Sequence, residues 1–166
     1  MAYNTIKLKK YSDVIEEFVA HAAITPGMLL ELNSDGEVLA HDTVSGIVAP
    51  PMFALEDELQ GKDIDDAYVA GDAVQVWIPG RGDQVYAILN DGQNVAKGDF
   101  LVSSGEGYLN KLTIGSAGTT EYPHAIVAVS LETKDLSDSS LADSGLGLES
   151  SIAPLGYNRR IRVRIV

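Results

Sequence analysis

The chain contains no cysteine, so it has no disulfide framework, no thiolate nucleophile and no cysteine-ligated zinc site. Such a composition suits assembly in a reducing cytoplasm and is compatible with any compartment. Long apolar runs are also missing, and none approaches the about eighteen residues of a membrane-spanning helix. The opening Met1-Ala2-Tyr3-Asn4-Thr5 lacks the charged and then apolar pattern of a secretory signal, so none is expected. Basic charge is scarce, with twelve Lys and Arg against twenty-four Asp and Glu and a net charge of −12. Phosphate backbones are bound by basic footprints, so nucleic acid is not an expected partner, and neither is a membrane.

What remains is an ordinary globular composition. At 166 residues and 45% hydrophobic content the chain can bury a single core. The few basic groups are concentrated at the two ends: Lys7, Lys9 and Lys10 at one, Arg159, Arg160, Arg162 and Arg164 at the other. Neither 1–10 nor 159–166 contains an acidic residue, so the 148 residues between them hold five basic against twenty-four acidic groups. An acidic body with basic ends predicts solubility and mutual repulsion of the bodies. It also predicts that the ends meet something negative, either another molecule or the body itself.

Strand signals dominate. In the stretch Ile24–Trp77, apolar runs of four or five residues are bounded by Gly, Pro, Asn and Asp, the pattern of short strands joined by tight turns. A weak repeat underlies it. Ile24-Thr-Pro-Gly27-Met-Leu-Leu30 with Asp35-Gly36 resembles Val95-Ala-Lys-Gly98-Asp-Phe-Leu101 with Glu106-Gly107, the glycines nine positions apart in both copies. The expectation is an all-β domain of short strands in which one hairpin module is used twice. Ser12–Ala23 fits either a helix opened by an Asp13–Glu16 capping box or a strand, and its alternation favours the strand. Within Met52–Gly61 the Leu55/Leu59 spacing, followed by Gly61, predicts one or two helical turns. The terminal Arg160-Ile-Arg-Val-Arg164-Ile-Val alternates strictly, which places an arginine row on one face of a strand. Residues 132–156 carry no periodicity and read as a long Ser/Gly/Asp loop.

Residues 1–20 read as an extended arm on a domain spanning 21–166. Burying Ile6, Leu8 and Tyr11 does not offset the backbone entropy of ordering ten residues. The arm is therefore expected to order only when a partner pairs it, and its removal to leave the fold intact.

No motif announces chemistry, so an enzyme is not expected. His21, His41 and His124 lack metal-ligand spacing. Asp63, Asp65 and Asp66 lack the glycine and distal Glu of a calcium loop. Ser103-Ser104-Gly105-Glu106-Gly107 is neither a phosphate loop nor a nucleophile elbow. Arg81-Gly82-Asp83 spells an adhesion tripeptide, although a turn explains it. Tyr86, Tyr108, Tyr122 and Tyr157 are loose candidates for stacking on sugars, and Tyr68 and Trp77 either pack the core or anchor an oligomer interface. No cofactor or metal is expected.

Three segments, Ile24-Thr-Pro-Gly-Met-Leu-Leu-Glu-Leu, Phe53-Ala-Leu-Glu-Asp-Glu-Leu-Gln-Gly and Asp66-Ala-Tyr-Val-Ala-Gly-Asp-Ala-Val, resemble the capsid decoration (cement) proteins of tailed bacteriophages. The likeness runs over about Ala22–Leu112. It implies a lambda-like β-tulip or barrel-like domain, a homotrimer on the outer surface of the head that bridges major capsid protein subunits and stabilises the expanded shell. The loop 132–156 departs from that shorter family pattern. On this resemblance Ile6, Lys7, Leu8, Lys9, Lys10, Tyr11, Arg159, Arg160, Arg162 and Arg164 would meet the capsid. Phe53, Leu55, Leu59, Tyr68 and Trp77 would form the trimer contact. The alternatives are another virion β-module, of tail or baseplate, and a carbohydrate-binding module.

Overall fold

A computed structural model describes residues 4–10, 14–42, 50–113, 125–137 and 159–166. The chain is all-β, as its turn rhythm predicts. A six-stranded antiparallel sheet has the spatial order β1 (Lys7–Lys9), β7 (Gln84–Ile88), β13 (Arg160–Ile165), β11 (Ala128–Ser130), β9 (Phe100–Ser103) and β10 (Leu109–Lys111). Beside it lie a three-stranded sheet of β2 (Ile15–Val19), β6 (Ala73–Trp77) and β5 (Phe53–Ala54) and a hairpin of β3 (Leu30–Leu32) and β4 (Val38–Ala40). A two-stranded ladder joins β8 (Asn94–Val95) to β12 (Lys134–Asp135). The described strands form open sheets and close no barrel.

One local device starts four of these strands. At Thr25–Met28, Val69–Asp72, Gly80–Asp83 and Ala96–Asp99 the fourth residue donates its N–H to the first residue's carbonyl, each at 3.1 Å. The third residue is a glycine with φ of 93°, 90°, 95° and 95° respectively. That is the type II turn, which needs a residue at ease in the left-handed region. In three of the turns the closing Asp also accepts the first residue's N–H: Asp72 from Val69 at 3.0 Å, Asp83 from Gly80 at 2.8 Å and Asp99 from Ala96 at 2.8 Å. Met28 Sδ takes the same N–H, from Thr25, in the fourth. The tripeptide Arg81-Gly82-Asp83 is one of these turns, and Asp83 is fully buried.

The hairpin repeat is real. Gly27 leads into β3–β4 and Gly98 into β9–β10, both antiparallel, with Gly36 and Gly107 in the connecting turns at φ 80° and 75°. The copies dock on each other, since Leu29 donates to the Gly107 carbonyl at 2.8 Å and Gly107 donates to that of His41 at 3.0 Å. A Cβ on Gly107 would lie 2.9 Å from the Ala40 Cβ, so the approach depends on glycine.

Two buried clusters fill the interior. One joins the inward side chains of the large sheet, among them Val85, Leu101, Ile161 and Val163, to Ile6, Phe53 and Trp77. The other gathers Ile24, Leu30, Val38, Tyr68, Val74 and Val76 around the hairpin and the small sheet. Met52–Gly61 contains a single 3₁₀ turn, Glu58–Gln60, started by Asp57 and ended by left-handed Gly61. Ser12–Ala23 contributes a strand, β2.

The described part of the N-terminal segment contributes two strands, and both pair within the chain. β1 pairs with β7, Ile6 is fully buried, and β2 pairs with β6. Ile6 donates its N–H to the buried Glu56 carboxylate at 3.1 and 3.3 Å and accepts from the Tyr86 N–H at 2.8 Å. The ladder and this carboxylate supply what side-chain burial alone lacks. Their partners lie some fifty and eighty residues away in sequence, where no local pattern shows them. Of the loop 132–156, Lys134–Asp135 pair with β8 and Leu136 is buried; 138–156 lie outside the described residues.

Candidate contact surface

β13 alternates as its sequence predicts: Ile161, Val163 and Ile165 turn into the core, and the arginines share the opposite face. Their fates diverge with depth. Arg160 is fully buried, and its Nη1 meets Asp65 Oδ1 at 2.6 Å. Its Nη2 donates to the Pro26 carbonyl at 3.2 Å and to the Ile64 carbonyl. Here the basic end is neutralised by the acidic body. Arg159, also buried, donates Nε to the Leu89 carbonyl at 3.3 Å and stacks on Tyr108, 4.6 Å from the ring centroid. Burial pushes the Tyr108 hydroxyl above its ordinary pKa, against the lowering effect of Arg159. Arg162 is half-buried, with its N–H on Glu132 Oε1 at 3.0 Å. Arg164 alone of the four is exposed.

Of the N-terminal candidates, Ile6 is core, Leu8 packs against it, Lys7 is half-buried, and Lys9 and Lys10 are exposed; Tyr11 lies outside the described residues. The sheet register collects what is left. Lys9 pairs with Gln84, Gln84 with Arg164, Arg164 with Val129 and Val129 with Phe100. These five residues form one row across five adjacent strands, about 19 Å long at ~4.8 Å per strand. Lys9, Arg164 and Phe100 are exposed in it, the last by 45%. The row is basic at one end and apolar at the other. Sequence reasoning found its basic members from their clustering but missed Phe100 and Val129, which only strand pairing brings beside them.

The expected trimer contacts separate sharply. Phe53, Leu55, Tyr68 and Trp77 are buried within the single chain, so core packing claims them. Tyr68 donates its hydroxyl to the Leu55 carbonyl at 2.9 Å, and burial pushes its pKa up to about 12. Leu59, on the 3₁₀ turn, is 89% exposed. It overlooks a groove of about 310 Å³ whose walls include Lys7, Ile15, Leu55, Glu58 and Gln75. One wall is β2, an edge strand that exposes Ile15, Glu16, Glu17 and Val19.

A buried polar cluster escaped the sequence reading. His41 Nδ1 lies 2.8 Å from Ser103 Oγ, and its Nε2 lies 3.6 Å from Glu31 Oε2. The types match a nucleophile, a base and an orienting carboxylate. However, His41 and Ser103 are both buried, and Ser103 Oγ also accepts the Gly105 N–H at 3.2 Å. The cluster ties the two hairpin copies together. His21 is exposed on Glu37 at 2.7 Å, which with Asn33 holds that carboxyl below its usual pKa. Among the described residues no group of His, Asp and Glu could hold a metal; His124 lies outside them. Asp63, Asp65 and Asp66 brace their own turn and Arg160. Of the sugar-stacking candidates, Tyr86 and Tyr108 are buried, and Tyr122 and Tyr157 lie outside the described residues.

The geometry defines a class first: an all-β domain of open antiparallel sheets over an apolar interior that holds a few buried polar contacts. No protein-family model matches the chain, and no curated protein matches it in sequence. Among solved structures it is similar to the N base of head fiber gp8.5 in bacteriophage phi29, with a TM-score of 0.51 and 14% identity. The match covers 93% of this chain and 95% of that one, so the likeness is one of whole fold.

Proposed function

We propose that the protein is a structural component of a phage virion. In this reading it binds the outer surface of the head as a homotrimer, bridges major capsid protein subunits and strengthens the expanded shell. It is a scaffold and carries out no catalysis. The observation that carries the reading is the fold likeness to a phage head fiber base along nearly the whole of both chains. The sequence resemblance to decoration proteins points the same way from separate residues. Trimeric attachment would let weak individual contacts hold firmly.

With Arg159 and Arg160 committed to the interior, the shell contact falls to the N-terminal segment around the exposed Lys10. Deleting residues 2–11 would remove the buried Ile6, so charge reversal is the cleaner probe. Purified protein should bind emptied, expanded heads to a saturating, stoichiometric level, and Lys10→Glu should weaken that binding without lowering the melting temperature. Failure of the wild-type chain to bind heads at any concentration sinks the reading.

A second reading has its own support. The neighbour is described as the N base of a fiber, so this domain would serve as a base on the head that carries a further projecting protein. Electron microscopy of decorated heads separates the two. A cement protein ends at its own mass, and a base bears additional density in virions.

A further inference from the structure

β2 has a partner on one side only. Through Ile15–Val19 it pairs with β6, and on its other side the described chain forms a bridge only past the strand's end, where Ala20 meets Val38. The register fixes which peptide groups are left over. Ile78 donates to the Val14 carbonyl at 2.9 Å and Ala20 donates to that of Asp72 at 2.9 Å, so Glu16 and Phe18 between them also bond towards β6. The N–H and C=O of Ile15 and Glu17 therefore point out of the sheet, and no hydrogen bond among the described residues takes them. Side chains alternate as well. Ile15, Glu17 and Val19 stand on one face, beside the groove that Ile15 shares with Leu55, Leu59 and Gln75. Glu16 stands on the opposite face with Phe18, which packs on the second buried cluster. Ile15 and Val19 are exposed by 39% and 47%, and no ion pair engages Glu16 or Glu17 among the described residues.

An exposed edge of this kind is a template for another strand, and its charges decide which strand it accepts. Two copies of β2 paired antiparallel about their centre would set Glu17 opposite Glu17, and like charges directly opposite each other destabilise a pair. The net charge of −12 adds repulsion between whole copies. The edge fits a segment of opposite sign. An antiparallel strand laid along it meets Val19, Phe18, Glu17, Glu16 and Ile15 in turn. Its complement is two apolar residues, two basic residues and one apolar residue, with one basic group on each face. A flat surface could meet only one of the two carboxylates, because they face opposite ways. A strand added at the edge meets both.

We infer that β2 is a docking strand for an extended basic segment of a different protein, which joins the small sheet as its fourth strand. Main-chain bonds to Ile15 and Glu17 hold the segment, and the two carboxylates set its register. Ile15 and Val19 cover its apolar residues on the groove face. Occupation of this edge does not require attachment to a phage head, so it stands apart from the contact around Lys10.

Fluorescence anisotropy on the full chain tests it, with a labelled synthetic peptide that carries Val-Val-Lys-Lys-Val between Gly-Ser flanks. Circular dichroism confirms folding of each variant. The peptide should bind saturably, one per chain. Glu16→Lys/Glu17→Lys should weaken binding about tenfold or more, and should accept instead the peptide with Glu-Glu at its centre. N-methylation of the peptide gives a readout that diffuse attraction to an acidic body would not move. The third and fifth core residues lie opposite Glu17 and Ile15 and turn their N–H groups to β2, so methylating those two should abolish binding. The second and fourth turn theirs away, and methylating them should leave binding unchanged. No binding by the wild-type chain, binding untouched by the charge pair, or equal tolerance of the two methylated peptides overturns the inference.

Discussion

Arg160 and Arg164 stand four residues apart on one strand face, and the structure makes them different residues. Arg160 is an enclosed cation whose removal strands Asp65 and two backbone carbonyls. Breaking a buried pair from one side costs about 3–5 kcal/mol. Arg160→Ala should therefore lower stability on that scale in chemical denaturation, while Arg164→Ala stays within about 0.5 kcal/mol; equal losses would show that Arg160 is not the internal partner described. Tyr68 supplies a pH signature. Its folded pKa of about 12 lies above the ordinary value of 10.0, so the folded state holds the phenolic proton more tightly. Its contribution is whole below pH 10 and is lost as pH rises toward 12. Half-buried Lys134, whose pKa is lowered by desolvation, works in the opposite sense, so the readout is a difference. Tyr68→Phe should be the less stable protein at pH 8, by about 1 kcal/mol for the lost hydrogen bond. It should also show a shallower loss of stability between pH 10 and 12 than the wild type.

At the scale of elements, glycines and edges decide the outcome. Gly36 and Gly107 occupy matching turns with similar positive φ, but only Gly107 has a neighbour where its Cβ would stand. Gly36→Ala should cost the left-handed strain alone, about 1–2 kcal/mol. Gly107→Ala should cost clearly more, because Ala40 or the Leu29 carbonyl must also move. Thermal melts of the two variants compare them directly, and equal shifts would mean that the hairpin copies do not dock through this turn. The first strand makes a second prediction. Because Ile6 and the β1 ladder are closed within the single chain, the Ile6 and Tyr86 amides should exchange slowly in the isolated protein. Glu56→Ala should release the Ile6 amide first. Fast exchange at both would return the segment to a partner-dependent arm.

For the whole molecule, charge is the main lever. Contacts between an acidic body and small basic patches are exposed, and the Debye length falls from about 10 Å at 0.1 M salt to about 3 Å at 1 M. Head binding and self-association should both weaken steeply over that range while the melting temperature changes little, a separation that light scattering and calorimetry on the same samples would show. Association indifferent to salt would point to an apolar interface, with Leu59 and the groove beneath it as the nearest candidate.

Much of the fold was legible in the order of residues because its causes are local. Type II turns need glycine at one position, and the Gly27 and Gly98 spacing carries the doubled hairpin in the sequence itself. Strict alternation on β13 separated its two faces, and Gly61 marked the end of a helical turn. The contact surface was only half legible. Clustering of Lys and Arg is visible along a chain, but whether an arginine is spent inside or offered outside depends on what the sheet places over it, and Asp65 is ninety-five positions from Arg160. The burial of Trp77, Tyr68 and Phe53, the closing of β1 on β7 and the row from Lys9 to Phe100 are all products of long-range pairing. Sequence determined the class of protein and the sign of its ends; tertiary structure decided which of those charged residues remain available, because burial and register are properties of contacts that no local pattern contains.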